Sequence, residues 1–282
     1  MNKNNKKEII IKKKSGETEP FDVSKLKASL KNAGAADDVI KKIAADVENW
    51  VYNGVSTGKI YTRAFKMFRK QSGHKASRYK LKRALFSMGP TGYPFEHLIG
   101  ELFKRQGYEI EVGQVVDGVT ITHEIDVIAT KNTQQHLMEC KFAHAQGNRL
   151  SVQVPLYVHS RVNDIVEKRQ QQPEYKDFSF TPWVVTNARF SSDSLEYSRC
   201  KGINLLGWDY PKGNALKDLI DREKIFPVTL LRHLNKKEKQ QLMEKGIVTC
   251  AQLSEKPILL KELGLSKKKQ QSVANELKEI ID

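Results

Sequence analysis

The sequence predicts an α/β fold of the α+β multidomain kind: an N-terminal helical bundle with a β-hairpin, a central α-β-β-β-α-β core, and a small all-helical C-terminal domain. Three observations predict it. A chain of 282 residues exceeds what one hydrophobic core usually organises. The apolar pattern turns from helical to strand-like after Gly107 and returns to short helical repeats after Pro227. The turn-dense run Gly89-Pro90-Thr91-Gly92-Tyr93-Pro94 separates two helical patterns and marks a boundary. The domains expected are therefore 1–88, 89–227 and 228–282.

In the first domain, Glu8-Ile9-Ile10-Ile11 reads as a strand, Ser15-Gly16 as a turn, and Glu19-Pro20-Phe21 as a second strand. Asp22 to Ser24 supply helix-starting chemistry for Lys25 to Asn32, where Leu26 and Leu30 share a face. Amphipathic helices follow at 37–53, 57–70 and 79–86. In the second domain, Phe95, Leu98, Ile99, Leu102 and Phe103 stand at helical spacing, and Gly107 stops the helix. Strands are expected at 108–114, 119–130 and 135–142, with Lys131-Asn132-Thr133-Gln134 as the turn between the last two. A helix over 152–168 then precedes an apolar strand at 182–186. The third domain reads as short helices at 230–234, 236–244, 250–254, 258–263 and 267–281, punctuated by Gly246 and Gly264.

Charge is unevenly spread. Residues 1–88 hold 21 lysines and arginines against 8 acids, a net +13, while 89–227 net −2 and 228–282 net +4. A basic excess at one end favours a polyanionic partner, nucleic acid or nucleotide phosphate; the plain alternative is a solubilising lysine-rich face. No run of about 18 apolar residues exists and Met1 to Lys14 is charged, so a soluble cytoplasmic protein with no membrane partner is expected. Cys140, Cys200 and Cys250 show no metal or disulfide spacing, which fits reduced thiols.

Lysines beside a tight turn can contact a triphosphate while backbone N–H groups complete the cradle. Ile11-Lys12-Lys13-Lys14-Ser15-Gly16, then Glu19-Pro20-Phe21-Asp22 and Lys25, resemble the opening of an ATP-cone, and Val55-Ser56-Thr57-Gly58-Lys59-Ile60 resembles that family's later helix start. The resemblance spans nearly all of residues 8–88. It implies a regulatory site for ATP or dATP with Lys13, Glu19 and Lys25 as contacts and Lys14 and Thr57 beside them. Since ATP-cones often mediate association, it also implies a homo-oligomer of undetermined size. Ser15 departs from the aspartate common in the family.

The central domain carries Glu124-Ile125-Asp126-Val127-Ile128 and, one hairpin later, Met138-Glu139-Cys140-Lys141-Phe142. Alternation along a strand sends Glu139 and Lys141 to one face and Cys140 to the other. Pairing through the expected turn lets Asp126 reach that face. Two carboxylates there suit Mg²⁺, and a neighbouring lysine suits a phosphate or an attacking water. Read alone, Asp, gap, Glu-x-Lys also describes a surface ion pair, but carboxylates set in apolar strands need an offsetting cation.

Phe95-Glu96, Glu124 to Ile128 and Glu139-Cys140-Lys141, with Pro182 to Asn187 and Gly202 to Gly207, resemble Mrr-type restriction endonucleases of the PD-(D/E)xK superfamily over about residues 93–210. The resemblance implies a DNA-cleaving phosphodiester hydrolase with Asp126 and Glu139 as metal ligands, Lys141 as the catalytic lysine and Glu96 assisting from its helix. Gln153 stands where related nucleases place a polar residue near the metal. His123, on a strand three residues from Asp126, is expected to face away from it. His144 and His159, like His123, are alternative candidates for metal ligand or base; His144 follows Lys141 in a loop and reads as a solvated histidine, with contact to DNA as the alternative.

At the C-terminus, Leu263-Gly264-Leu265-Ser266-Lys267-Lys268-Lys269 resembles a helix-hairpin-helix-like domain, with Gly264, Ser266 and the three lysines implied to meet a DNA phosphate. Ser266 replaces the second glycine of that hairpin, and a protein-interaction domain is the alternative. Together these readings give a Mg²⁺-dependent DNA endonuclease, responsive to ATP or dATP and serving restriction of foreign DNA. The rivals are a nucleotide-responsive DNA-binding regulator without cleavage and a structure-specific repair nuclease.

Overall fold

A computed structural model describes residues 9–13, 15–33, 35–72, 80–145 and 147–281, with backbone alone at 32 and 69–72. Lys14 and Tyr79 lie outside the described residues. The chain divides into two compact units near Leu81.

The first unit opens with the hairpin β1 (Ile10–Lys12) and β2 (Thr18–Pro20), paired antiparallel with Ile11 opposite Glu19. Helices α1 (Val23–Asn32), α2 (Asp37–Trp50) and α3 (Thr57–Ser72) follow. Asp22 caps α1, its carboxylate accepting from Ser24 N–H at 2.8 Å. Leu30, Ile43, Val47, Ala64 and Phe68 fill the core between these helices. Lys12 N–H donates to Val55 O, which ties β1 to the residues that start α3.

The second unit begins with the single turn of α4 (Leu81–Leu85), then α5 (Tyr93–Arg105). A five-stranded sheet follows in the order β3 (Glu109–Asp117), β4 (Thr122–Lys131), β5 (Gln134–Lys141), β7 (Ser179–Thr186), β9 (Asn204–Leu206). The first three strands are antiparallel; β7 and β9 run parallel to β5. Between β5 and β7 come β6 (Arg149–Leu150) and α6 (Gln153–Arg169). Between β7 and β9 come β8 (Arg189–Phe190) and α7 (Ser192–Lys201). The β4–β5 hairpin closes on Asn132 and Thr133, with Asn132 at φ 52°, a conformation its short polar side chain tolerates.

Helix α5 packs on one face of the sheet and α6, with α7 beside it, on the other. On the α5 side, Gly100 brings the helix close: a Cβ there would sit 3.0 Å from Ile110 and 3.3 Å from Val112. On the α6 side, Val158, Val162 and Ile165 pack against Ile125, Ile128, Leu137 and Val184. Ile125 and Ile128 are three residues apart yet meet the same helix, so strict alternation is broken between them. The cause lies in the ladder. Val112 pairs with Val127 and Gln114 with Ile125, but Gly113 and Asp126 drop out. Gly113 takes φ 64°, which glycine adopts without steric cost.

Three sequence expectations change. The strand expected from Val119 begins at Thr122, because Gly118 to Ile121 form a turn clasped by Asp164 of α6: Val119 N–H donates to its backbone oxygen, and Thr120 N–H and Oγ1 donate to its carboxylate at 3.0 and 2.9 Å. A Cβ on Gly118 would fall 1.9 Å from the Asp164 carboxylate. The expected helix at Leu230–Leu234 is a 3-10 turn over Val228–Leu230, since the buried carboxylate of Glu276 captures the N–H groups of Arg232 and His233 at 2.9 and 3.2 Å. Helix α8 (Leu216–Arg222), not expected from the sequence, starts where Asp218 accepts from Ala215 N–H.

The remaining helices are α9 (Lys236–Glu244), α10 (Cys250–Glu255), α11 (Ile258–Glu262) and α12 (Lys267–Ile281). Asn235 and Thr249 begin α9 and α10 with reciprocal caps to Glu238 and Gln252.

Gly113→Ala tests the kink. Its Cβ would meet nothing within 4 Å, so the loss is one of backbone conformation alone, about 1–2 kcal/mol in urea unfolding. An unchanged midpoint would mean that the positive φ is not required.

Candidate active site

The ladder between β4 and β5 pairs Val127 with Met138 and goes no further. Beyond it the strands are joined by a side chain: Cys140 N–H donates to Asp126 Oδ2 at 2.6 Å. Asp126 thus stands beside the backbone link between Glu139 and Lys141. Those two lie on one face as alternation requires, with Lys141 Nζ 2.5 Å from Glu139 Oε1. Glu139 is 5% exposed although it carries a carboxylate.

Helix α6 completes the surroundings of Glu139. Tyr157 Oη donates to Oε1 at 2.8 Å and Arg161 Nη1 to Oε2 at 2.5 Å; the same Nη1 reaches Glu124 O at 3.0 Å. Sequence reading missed both residues. The spacing of Gln153, Tyr157 and Arg161, one turn apart on α6, was the available signal. Gln153 itself is exposed at the helix start, and the turns after it supply the contacts.

Two acids of this region, Glu96 and Asp126, have their ionisation opposed by their surroundings. Burial, then the charges of Asp126, Glu124 and Glu139, push the Glu96 carboxyl up to about 7. Burial and the Glu139 charge raise Asp126 to about 6, against the opposing Cys140 N–H, Lys141 and Arg161. Lys141 moves the other way from its burial, which would lower it: Glu139 holds its ammonium well above the usual lysine range. The ion pair with Glu139 thus keeps Lys141 cationic. Burial and the charge of Glu139 push Tyr157 up to about 12.

Among the described residues, no three His, Cys, Asp or Glu side chains converge as a ready cage for an ion. The donors on offer are the carboxylates of Asp126 and Glu139. That set fits a hard cation bound through one or two carboxylates that keeps several waters. Burial first and neighbouring carboxylate charge second raise Asp126 and Glu96, and a cation would offset the second of these.

The histidines stand apart from the acids. His123 Nε2 lies 2.7 Å from Asp164 Oδ2 on the α6 side, and His159 meets Tyr197 and Asn163. His144 is exposed next to the Phe142 ring.

In the first unit, Lys13 and Lys25 both reach Glu19 Oε2, at 2.9 and 3.1 Å. Burial of Glu19 is outweighed by these two lysines, which hold its carboxyl below the ordinary value. Thr57 opens α3, beside the Lys12–Ser56 bridge. The structure gathers Lys13, Glu19 and Lys25, sets Thr57 next to the strand that leads into Lys13, and leaves Lys14 undescribed.

At the C-terminus, Gly264 turns the chain at φ 71° and Ser266 Oγ lies 3.4 Å from Lys269 N. Lys267 and Lys268 are exposed. Lys269 is committed elsewhere: its ammonium sits 2.6 and 2.8 Å from the Glu238 carboxylate oxygens.

Comparison with known proteins finds matches along three stretches of the chain. Residues 9–83 match the ATP cone domain, 89–220 the Mrr-type catalytic domain described as a restriction endonuclease, and 226–281 the AF1548-like C-terminal domain. An uncharacterised protein of Archaeoglobus fulgidus is 32% identical over 185 residues, which cover 65% of this chain and 99% of that one. A crystal structure of the protein of unknown function AF1548 is 29% identical with a TM-score of 0.56, covering 68% of this chain and 98% of that chain. The MspJI restriction endonuclease, solved with a 27-mer oligonucleotide, is 13% identical with a TM-score of 0.33, covering 79% of this chain and 44% of that chain. No helix among the described residues is long and apolar enough to cross a membrane.

The raised Glu96 has a measurable sign. The unfolded chain releases this proton near pH 4.5, whereas the folded chain keeps it to about pH 7, so the metal-free protein loses stability as pH rises through that window. Glu96→Gln removes the penalty. In EDTA its Tm should match wild type near pH 4.5 and exceed it at pH 8; a constant difference across the range would refute the assignment.

Proposed function

We propose that this chain, which belongs to the family of AF1548-like proteins and carries an ATP-cone ahead of a restriction-endonuclease-like domain, is a divalent-cation-dependent DNA endonuclease regulated by ATP or dATP. The observation that carries the reading is the meeting of Asp126, Glu139 and Lys141 at the splayed ends of β4 and β5. A regulator that only grips DNA has no need of a buried carboxylate, a second carboxylate of raised pKa and a lysine in one place.

Asp126 and Glu139 would hold the cation, with Mg²⁺ as the expected ion. Bound there, a divalent cation supplies Lewis acidity toward a phosphodiester and lowers the pKa of water. Lys141 sets a permanent positive charge beside the phosphate, where the five-coordinate transition state gains negative charge. Glu96, ionised and protonated in comparable amounts near neutrality, can take up the proton that an attacking water gives off. Tyr157 and Arg161 fix the orientation of Glu139. Cleavage of foreign DNA as restriction is the role we assign. The C-terminal turn at Gly264 and Ser266 would meet a DNA phosphate through Lys267 and Lys268, without Lys269.

The N-terminal domain would bind the triphosphate through Lys13, Lys25 and Thr57, with Glu19 positioning the two lysines until the phosphates arrive.

Incubation of the full chain with plasmid and linear DNA and Mg²⁺ should give cleavage that EDTA abolishes. Asp126→Ala should fall to background and Lys141→Ala by roughly 100-fold or more. Equal activity in all three proteins, or none in any, would reject the nuclease reading. ATP or dATP at about 100 times Kd should stabilise the chain by about 2.7 kcal/mol in thermal unfolding. Lys13→Ala together with Lys25→Ala should lose that shift, and its survival would remove these lysines from the site.

A further inference from the structure

Outside the site just described, the second unit gathers cations at the carboxyl end of its parallel strands. Arg149 of β6 and Arg189 of β8 are direct partners in a parallel pair. Like charges set side by side across a ladder repel. Arg189 leans on Asp209, Nε to Oδ2 at 2.7 Å. The Lys82 ammonium stands 5.3 Å from the centre of the Trp208 ring. Leu216 N–H donates to Gly207 O, which brings the start of α8, and so Lys217, to the same loop. Burial comes first and then the charges of Arg189 and Lys217 in depressing Lys82 to about 8, with Asp209 alone opposing them. Arg189, Lys82 and Lys217 therefore gather about Asp209, and Arg149 stands beside Arg189 in the ladder.

The place of this cluster says what it faces. Lys141 pairs with Thr186 across β5 and β7, and Thr186 Oγ1 donates to Lys141 O at 2.6 Å. Ala188 N–H donates to Thr186 Oγ1 and Trp208 N–H to Ala188 O. A short chain of hydrogen bonds thus joins the lysine of the active site to Trp208 and to the neighbour of Arg189. Arg189 lies three residues beyond Thr186, a span of at most roughly 10 Å. A nucleic-acid strand advances about 3.4 Å along the duplex axis per phosphate. Phosphates within about three steps of a bond held at Lys141 would lie over the cluster.

We infer that Lys82, Arg149, Arg189 and Lys217 form a phosphate-backbone track that holds the DNA strand flanking the bond to be cut, with Trp208 as the wall against which Lys82 is set. The inference rests on the nuclease reading for its substrate. It assigns backbone contact to the rim of the central sheet, apart from the lysines of the C-terminal turn. Such contacts anchor DNA without reading its sequence.

The test measures binding, so that it does not depend on cutting. The full chain carrying Asp126→Asn is titrated into a fluorescein-labelled 30-base-pair duplex by anisotropy, with Mg²⁺ present and monovalent salt varied. Lys82→Met, Arg149→Gln and Lys217→Gln are added singly and together, and Tm is followed for each. The slope of log affinity against log salt should become shallower by about 0.9 for each phosphate that the protein no longer neutralises. If Lys82→Met lowers Tm, the Arg149→Gln and Lys217→Gln pair carries the comparison. Unchanged affinity and slope in the folded combined variant would overturn the track, even where the unsubstituted chain cleaves DNA. Weakened binding of poly-glutamate with duplex binding unmoved would overturn it too, and would point to an acidic protein partner. Loss of cleavage in Asp126→Ala with no change in these slopes separates failure of the track from failure of the nuclease reading.

Discussion

The hydrogen bond from Cys140 N–H to the Asp126 carboxylate is the constraint on which the central domain depends. It stands where backbone pairing between β4 and β5 ends, and it replaces a ladder bond with one from a side chain. A buried N–H left without a partner would be costly, so the fold itself requires this carboxylate. Because the donor lies between Glu139 and Lys141, the bond also sets the acid of one strand against the acid and amine of the next. Gly113 makes this geometry accessible by turning the neighbouring strand without adding a residue to it.

Around that bond the domain accumulates charges that the fold alone does not balance. Glu96 and Asp126 are raised because burial and mutual repulsion resist their ionisation, while Lys141 is stabilised as a cation by Glu139. Elsewhere buried acids are satisfied in full. Glu276 is more completely buried than either Glu96 or Asp126, yet hydrogen bonds from Arg232 and His233 outweigh the penalty of burial and hold its carboxyl low. The contrast separates a carboxylate whose hydrogen bonds complete a turn from two whose ionisation their surroundings oppose.

Much of this architecture was legible in the sequence. The periodicity of Phe95 to Phe103 placed α5, Asn132-Thr133 placed the β4–β5 turn, and α9 and α12 fall on the short helical stretches expected at 236–244 and 267–281. The shared face of Glu139 and Lys141 followed from strand alternation alone. What was not legible depends on side chains that meet across long stretches of chain. Asp164 binds Thr120 and His123, Arg161 reaches Glu139 and Glu124, and Glu276 remakes the turn at Arg232. Local propensity carries no record of such partners. The break in alternation at Asp126 has the same origin, since it needs Gly113 on another strand.

Asp164 lies one turn beyond Arg161 and two beyond Tyr157 on α6, and it grips the loop between β3 and β4 through Thr120 and His123. That grip sets the roll of the helix about its own axis, and with it the angle at which Tyr157 and Arg161 address Glu139. The connection from Gly118 to Ile121 thus works as a mechanical stop for the opposite helix. It is a surface loop by location, yet its length and its glycine are as tightly determined as any position in the core.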